Sequence, residues 1–296
     1  MNPGIYDISM AEYLAIPAFS SGLAHTILSA SPLHAWTKSW LNPNREREES
    51  KTADIGTVAH AALLEGNFDF VVWIDRNDYP GEKGGIPVGW TTKAIKEARD
   101  ATYAEGKTPI LTDDKAAIDA MVAAAKSYIA GSEIAGVFDS GKAEQTITWQ
   151  EGDILCKSRP DWLSDNYLLH YKTTKGSVNP QTFSRLATNS GYDLAMMFYL
   201  RGLEAVLPDS QAQHYLLAQE QSEPYACKLF DLSGPLADVA AHKAGRAINA
   251  WASCMKSGKW PAYDGSVHSI ELAPWDLAKE EQTQFTEEEL KDGIPL

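Results

Sequence analysis

A chain of 296 residues can bury a substantial core as one large domain or two small ones, and its 44% hydrophobic, 22% charged composition is that of an ordinary globular protein. Its formal net charge of -14 argues against a protein that coats nucleic acid through a broad basic face, but leaves room for an enzyme whose few cations line a channel. No apolar run reaches the roughly 18 residues of a membrane span. The N-terminus lacks a secretory layout, and Cys156, Cys227 and Cys254 are scattered without CxxC spacing, which points to the cytoplasm and away from a disulfide framework or structural zinc.

Residues 20–37 predict a short helix, with Ser20 or Ser21 as its cap and Leu23, Ile27 and Leu28 at helical spacing before Pro32 interrupts. Residues 38–52 are polar and charged and read as an exposed connection. From Ile55 the pattern predicts a helix with Val58, Ala62 and Leu63 on one side, stopped by Gly66 and Asn67. The Gly- and Pro-containing stretch 76–92 reads as a mobile loop. Helices follow at about 93–105 and 113–131, the second capped by Thr112-Asp113-Asp114.

Residues 144–150 alternate with a period of two, and Glu151-Gly152-Asp153 makes a turn. Two more strands, 154–159 and 167–172, flank the break Ser164-Asp165-Asn166. A helix at about 189–206, a strand pair at 213–219 and 225–231, and a long helix at 235–257 complete the order. That order predicts an α/β fold, a central mixed sheet flanked by helices in one domain over 1–275, with a mobile acidic tail at 276–296.

The strongest chemical signal lies between Cys156 and Lys175. Successive strand residues face opposite sides, so His170 and Lys172 share a face while Tyr171 points away. The turn can bring Asp161 beside position 170. A carboxylate there can hold a divalent metal, and a lysine can orient an attacking water or offset phosphate charge. A hairpin with a solvated Asp and Lys explains these three residues as well. His60, in Gly56-Thr-Val-Ala-His60, lies on a predicted helix, where a packed or surface histidine is the ordinary outcome. Glu144 opens the strand next to the one carrying Asp161, and it offers either another oxygen ligand or an edge cap.

Taken in order, these pieces resemble the nuclease domain of RecE-type exonucleases (exodeoxyribonuclease VIII), RecB-like members of the PD-(D/E)xK superfamily. The resemblance covers nearly the whole chain. It begins in the segment after Ser20 and takes in the GxxxH motif at Gly56–His60, the Glu-led strand at Glu144, Arg159-Pro160-Asp161, and the strand ending in Lys172-Thr173. It implies a restriction-endonuclease-like core. His60, Asp161 and the backbone carbonyl of Tyr171 would be metal ligands, with Glu144 and His170 as further candidates. Lys172 would be the catalytic lysine, and Arg159, Tyr192 and Tyr199 would support the site. It also implies Mg2+, with Mn2+ as an alternative, and double-stranded DNA ends as substrate. Digestion would run 5′→3′ and leave 3′ single strands for an annealing protein in phage or prophage recombination, carried out by a ring-shaped homotetramer.

Two positions depart from the family pattern. Its D-x-K reads His170-Tyr171-Lys172, and the Gln expected between Tyr192 and Tyr199 is Ala195. A pair of unit charges about 4 Å apart is worth about 4 kcal/mol at an effective dielectric of about 20, so losing a carboxylate beside a divalent cation removes several kcal/mol of attraction. Imidazole also suits manganese, iron, zinc or nickel better than magnesium. The departures leave three readings: an enzyme with an altered metal, an inactive DNA-end-binding or scaffold relative, or a deliberately disabled variant. Two imidazoles and a carboxylate also form the facial set of non-haem iron oxygenases, a reading the surrounding motifs rank last. Lys83, Lys93, Lys96, Lys175 and Arg185 can reach phosphates, and Trp36, Trp90 and Trp162 can stack on bases, with solvated or packed roles as the plain alternatives. No Walker A motif and no GxSxG elbow is present.

Overall fold

In this computed structural model of the chain, residues 1–45, 55–81, 83–232 and 234–271 are described. The expected tail at 276–296, and residues 46–52 of the expected connection, lie outside them.

The chain opens with three short elements that carry no periodic signal: β1 (Gly4–Tyr6), α1 (Met10–Ala15) and β2 (Phe19–Ser20). A capping box starts α1, with Ser9 and Glu12 each accepting the other's amide. The helix expected over 20–37 is two helices, α2 (Ser21–Ser29) and α3 (Pro32–Lys38). Pro32 cannot continue the first but suits the first turn of the second, behind a Ser31 cap. Ser20 stands at the cap position of α2 without a side-chain capping bond. Next, α4 (Ile55–Leu64) is buried nearly all round rather than on one side, with Thr57 and His60 among its few open positions.

β3 (Val71–Ile74), α5 (Lys93–Ala104) and β4 (Thr108–Leu111) form a parallel βαβ unit that the sequence did not announce. Its long loop is tied down: Arg76 pairs with Asp113 and donates to the Pro87 carbonyl at 2.8 Å. In α6 (Lys115–Ala130), Ile118, Met121, Ala125 and Ile129 make one buried stripe. Thr112–Asp114 leads into it as a 3-10 turn, and Asp114 makes no side-chain cap, contrary to expectation.

The expected meander follows as β5 (Lys142–Ala143), β6 (Thr146–Glu151), β7 (Ile154–Ser158), β8 (Trp162–Leu163) and β9 (Tyr167–Thr174). Each of its first two passes is broken in two. An unexpected, mostly polar helix, α7 (Pro180–Asn189), buries only Phe183. It precedes α8 (Tyr192–Val206), β10 (Gln213–Glu220), β11 (Cys227–Phe230) and α9 (Gly234–Ser257). The α7–α8 junction needs Gly191: its φ is 73°, and a Cβ there would lie 2.4 Å from Nδ1 of His25.

The strands make two main sheets, ordered β1-β6-β7-β2 and β11-β10-β9-β8-β5. β9 and β10 are parallel, and the other pairs of the second sheet are antiparallel. The chain passes between the sheets at Glu144-Gln145 and again at Arg159-Pro160-Asp161. Pro160 has no N–H for a ladder, and Glu144 has a left-handed φ of 55°, so neither ladder can continue. Glu144 therefore does not open a strand, as expected from the sequence, but occupies the gap between two. The largest core cluster joins Phe19, Trp149, Phe198 and Trp251 under α8 and α9.

Met1–Ala262 is one compact unit, and a second begins at Tyr263, whose described residues 263–271 hold no helix or strand. Among the described residues no helix is long and apolar enough to cross a membrane. The three cysteines are free.

Candidate active site

The carboxylate of Asp161 is where the predicted residues meet. Its Oδ1 lies 3.4 Å from Nε2 of His60, and its Oδ2 lies 3.5 Å from Nζ of Lys172 and 3.8 Å from Nε2 of His170. The Tyr171 backbone N–H donates to the same Oδ2 at 2.6 Å. Register explains this convergence. Trp162 stands opposite Leu169, so Asp161, one residue earlier, falls level with His170 and within reach of the next amide.

Glu144 joins from the neighbouring break. Its amide donates to the Asp161 carbonyl at 3.1 Å, and Nε of Arg159 donates to its carboxylate at 2.8 Å. Arg159 is itself held by the Ile8 carbonyl at 2.9 Å and the Thr146 hydroxyl at 2.8 Å. One ligand atom each from His60, Glu144 and Asp161 lie within 4.8 Å of one another.

The electrostatics favour a cation between these groups. Burial alone would raise the Asp161 carboxyl, but Lys172, His60 and His170 outweigh it and hold its pKa far below the usual carboxylate range. Burial and the charge of Asp161 push Glu144 the other way, against Arg159. Two crowded carboxylates beside one imidazole form a mixed oxygen and nitrogen donor set, and a positive ion would relieve their repulsion.

His170 stays outside that set. Its side chain is 2% exposed and packs edge-on against Tyr199 at 5.1 Å and Tyr192 at 5.9 Å. Burial and the nearby Lys172 depress its pKa well below the ordinary histidine value, so it is neutral. Its Nδ1 has no hydrogen-bond partner among the described residues. Tyr192 and Tyr199 thus pack on the histidine.

Tyr171 turns its side chain to the opposite face, as the alternation requires. The ring stacks on His60 with centroids 5.3 Å apart, and its hydroxyl donates to Oε1 of Gln219. Gln219 donates in turn to the carbonyls of Met121 at 2.8 Å and Tyr225 at 3.2 Å. This glutamine was missed in the sequence, where its only signal is a polar residue inside an apolar strand. Among the other candidates, Trp162 belongs to the core, donating to the Ser140 carbonyl at 3.1 Å, and Lys93 pairs with Glu97 along its own helix.

Residues 27–273 match the family described as a PDDEXK-like domain of unknown function (DUF3799). The chain belongs to this family. As a PDDEXK-like domain it falls within the PD-(D/E)xK nuclease superfamily, and its helix-flanked mixed sheets are the restriction-endonuclease-like fold. A crystal structure of a candidate exonuclease from Eubacterium rectale has the same fold, with a TM-score of 0.52 at 12% identity over 92% of this chain and 98% of the other. A second solved structure, with a TM-score of 0.28 at 14% identity over 64% of this chain and 84% of the other, is too dissimilar to bear on the fold. No curated protein matches the sequence. PDDEXK-like nucleases use divalent metals, and the His60–Glu144–Asp161 group of this domain suits one.

Proposed function

We propose that this PDDEXK-like domain is a metal-dependent exodeoxyribonuclease that digests linear double-stranded DNA. The observation that carries this reading is the single Asp161 carboxylate approached by His60 and Lys172, with Glu144 in the same cluster. His60, Glu144 and Asp161 would hold a divalent ion, Mg2+ or Mn2+. When bound, the ion supplies a lowered pKa for water and offsets charge on the scissile phosphate. Lys172, 31% exposed and anchored on Asp161, orients the attacking water and faces the phosphate. The Tyr171 amide fixes the Asp161 rotamer, and Arg159 fixes Glu144. Glu144 supplies a second carboxylate from its own motif position, where His170 offers none.

The finer role follows the RecE-type resemblance: 5′→3′ polarity, 3′ overhangs passed to a single-strand annealing protein, a cytoplasmic tetramer, and phage or prophage recombination. The Eubacterium rectale protein, a candidate exonuclease, agrees with the general chemistry. A second reading rests on His170, which is buried and neutral where the family has an acid: a DNA-end-binding relative without hydrolysis.

One experiment separates the two. Linear duplex labelled at either end, and covalently closed circular duplex beside it, are incubated with Mn2+ or Mg2+ and the parent, Asp161→Asn or His170→Asp protein. Degradation of linear DNA by the parent, lost in Asp161→Asn, supports the enzyme. Degradation only by His170→Asp favours the silent relative.

A further inference from the structure

Past the end of β9 lies a cavity of about 420 Å³ lined by Ile55, Trp90, Leu111, Asp114, Lys175 and Gln221, among others. Two elements lead to it from the metal-binding group. Along α4, His60 and Ile55 are five residues apart, about 7.5 Å at the helical rise. Along β9 and its continuation, Lys172 and Lys175 are three residues apart, about 10 Å at the strand rise. Tyr171 stacks on His60, so α4 covers the Tyr171 face of β9. Gln221 follows β10 and Leu111 ends β4, so the cavity opens at the carboxyl ends of two parallel strand pairs. Open α/β sheets take their ligands at such ends.

The lining has two chemical halves. Trp90 offers a half-buried indole beside aliphatic Ile55 and Leu111. Lys175 is exposed and makes no ion pair among the described residues, in a chain whose net charge is -14. A flat apolar wall next to an uncommitted cation suits a nucleobase and its phosphate. Asp114 adds polar atoms for a base edge, while the Gln221 amide beside it already donates to the Thr173 hydroxyl at 3.0 Å. The wall is also firmly placed. Arg76 pins the preceding loop through Pro87, and Trp90 packs against the cluster of Ile74, Ile95 and Leu111, with the Arg99 guanidinium 6.0 Å from its ring centroid.

We propose that this cavity binds an unpaired nucleotide of the DNA strand that passes over the His60–Glu144–Asp161 group, its base against Trp90 and its phosphate on Lys175. The inference rests on the nuclease reading, because the site is placed relative to a strand held at that group. Its consequence is a preference for DNA ends that are already frayed.

The test measures binding in Ca2+ of two labelled duplexes, one blunt and one with a short unpaired 5′ end, to the parent, Trp90→Ala, Trp90→Phe and Lys175→Ala proteins. The parent should favour the frayed end. Trp90→Ala should weaken frayed-end binding about tenfold or more, the scale of one lost base stack, and change blunt-end binding much less. Trp90→Phe keeps a stacking face and should recover most of the loss. Lys175→Ala should weaken the frayed end and lower its salt dependence. Equal affinity of the parent for both ends, or equal losses on both, overturns the proposal. Displacement of the frayed end by free deoxynucleoside monophosphate at equal concentration would make the cavity a product site, and that also overturns it. Because binding is read without cleavage, a parent inert toward all DNA in Mn2+ defeats the nuclease reading separately.

Discussion

Glu144 and Asp161 meet across the gap between the two sheets: the amide of the first donates to the carbonyl of the second at 3.1 Å, and their carboxylates converge on His60. The left-handed backbone of Glu144 costs on the order of 1–3 kcal/mol for a non-glycine residue. The Arg159 anchor and the paired amide offset it. Strain retained at such a point accords with a functional role for the side chain.

Glu144→Gln removes one of two crowded negative charges from the group. Its Mn2+ dissociation constant should rise roughly 10- to 100-fold, within the limit set by one unit charge about 4 Å away. Isothermal titration calorimetry measures this directly. An affinity equal to the parent's would remove Glu144 from the ligand set.

Tyr171→Phe leaves the Oε1 of Gln219 without its buried donor, which should cost about 1–3 kcal/mol of stability. Metal affinity should hold, because Tyr171 contacts Asp161 through its backbone amide. Thermal melts and metal titration of one variant check both halves. A matching fall in metal affinity would show that the ring, not the amide, orients the site.

Gly141 has a φ of 102°, and a Cβ there would come within 2.4 Å of the Leu163 carbonyl oxygen. Gly152 has a φ of 59° but open space around it. Gly141→Ala should therefore lose well over the ~1 kcal/mol expected of Gly152→Ala, because backbone strain and a backbone clash add. Denaturant midpoints of the two variants give the comparison. Equal costs would mean that β5 can shift away from β8 freely.

The ring nitrogens of His214 are both shielded from solvent without a partner among the described residues, and burial lowers its pKa from 6.5 to about 3. The unfolded chain then binds the proton first. Stability is full above about pH 6.5 and declines by about 1.4 kcal/mol per pH unit as pH falls toward 3. His214→Leu should flatten that slope in melting temperature measured from pH 7 to pH 4. An unchanged slope would assign acid lability to other groups.

Much of the architecture was legible because its elements are long and periodic. The α6 stripe and the α9 helix announce themselves through repeated apolar spacing, and the meander through alternation and polar turns. Two- and three-residue strands such as β1 and β2 leave no period to read and exist only because β6 and β7 offer edges to pair with. The polar α7 was hidden for a related reason, since one buried phenylalanine does not make a face.

Of the candidate site, the sequence by itself determined the residue types and their local parity: an Asp at the end of one strand, a His and a Lys on one face of the next, and a His on a helix. Parity is a property of the backbone, so it needs no partner. Tertiary structure alone decided which of these share space. Packing enclosed His170 between tyrosines and left it neutral. The paired breaks at Pro160 and Glu144 brought a second carboxylate beside Asp161, a proximity between chain segments that no local spacing encodes.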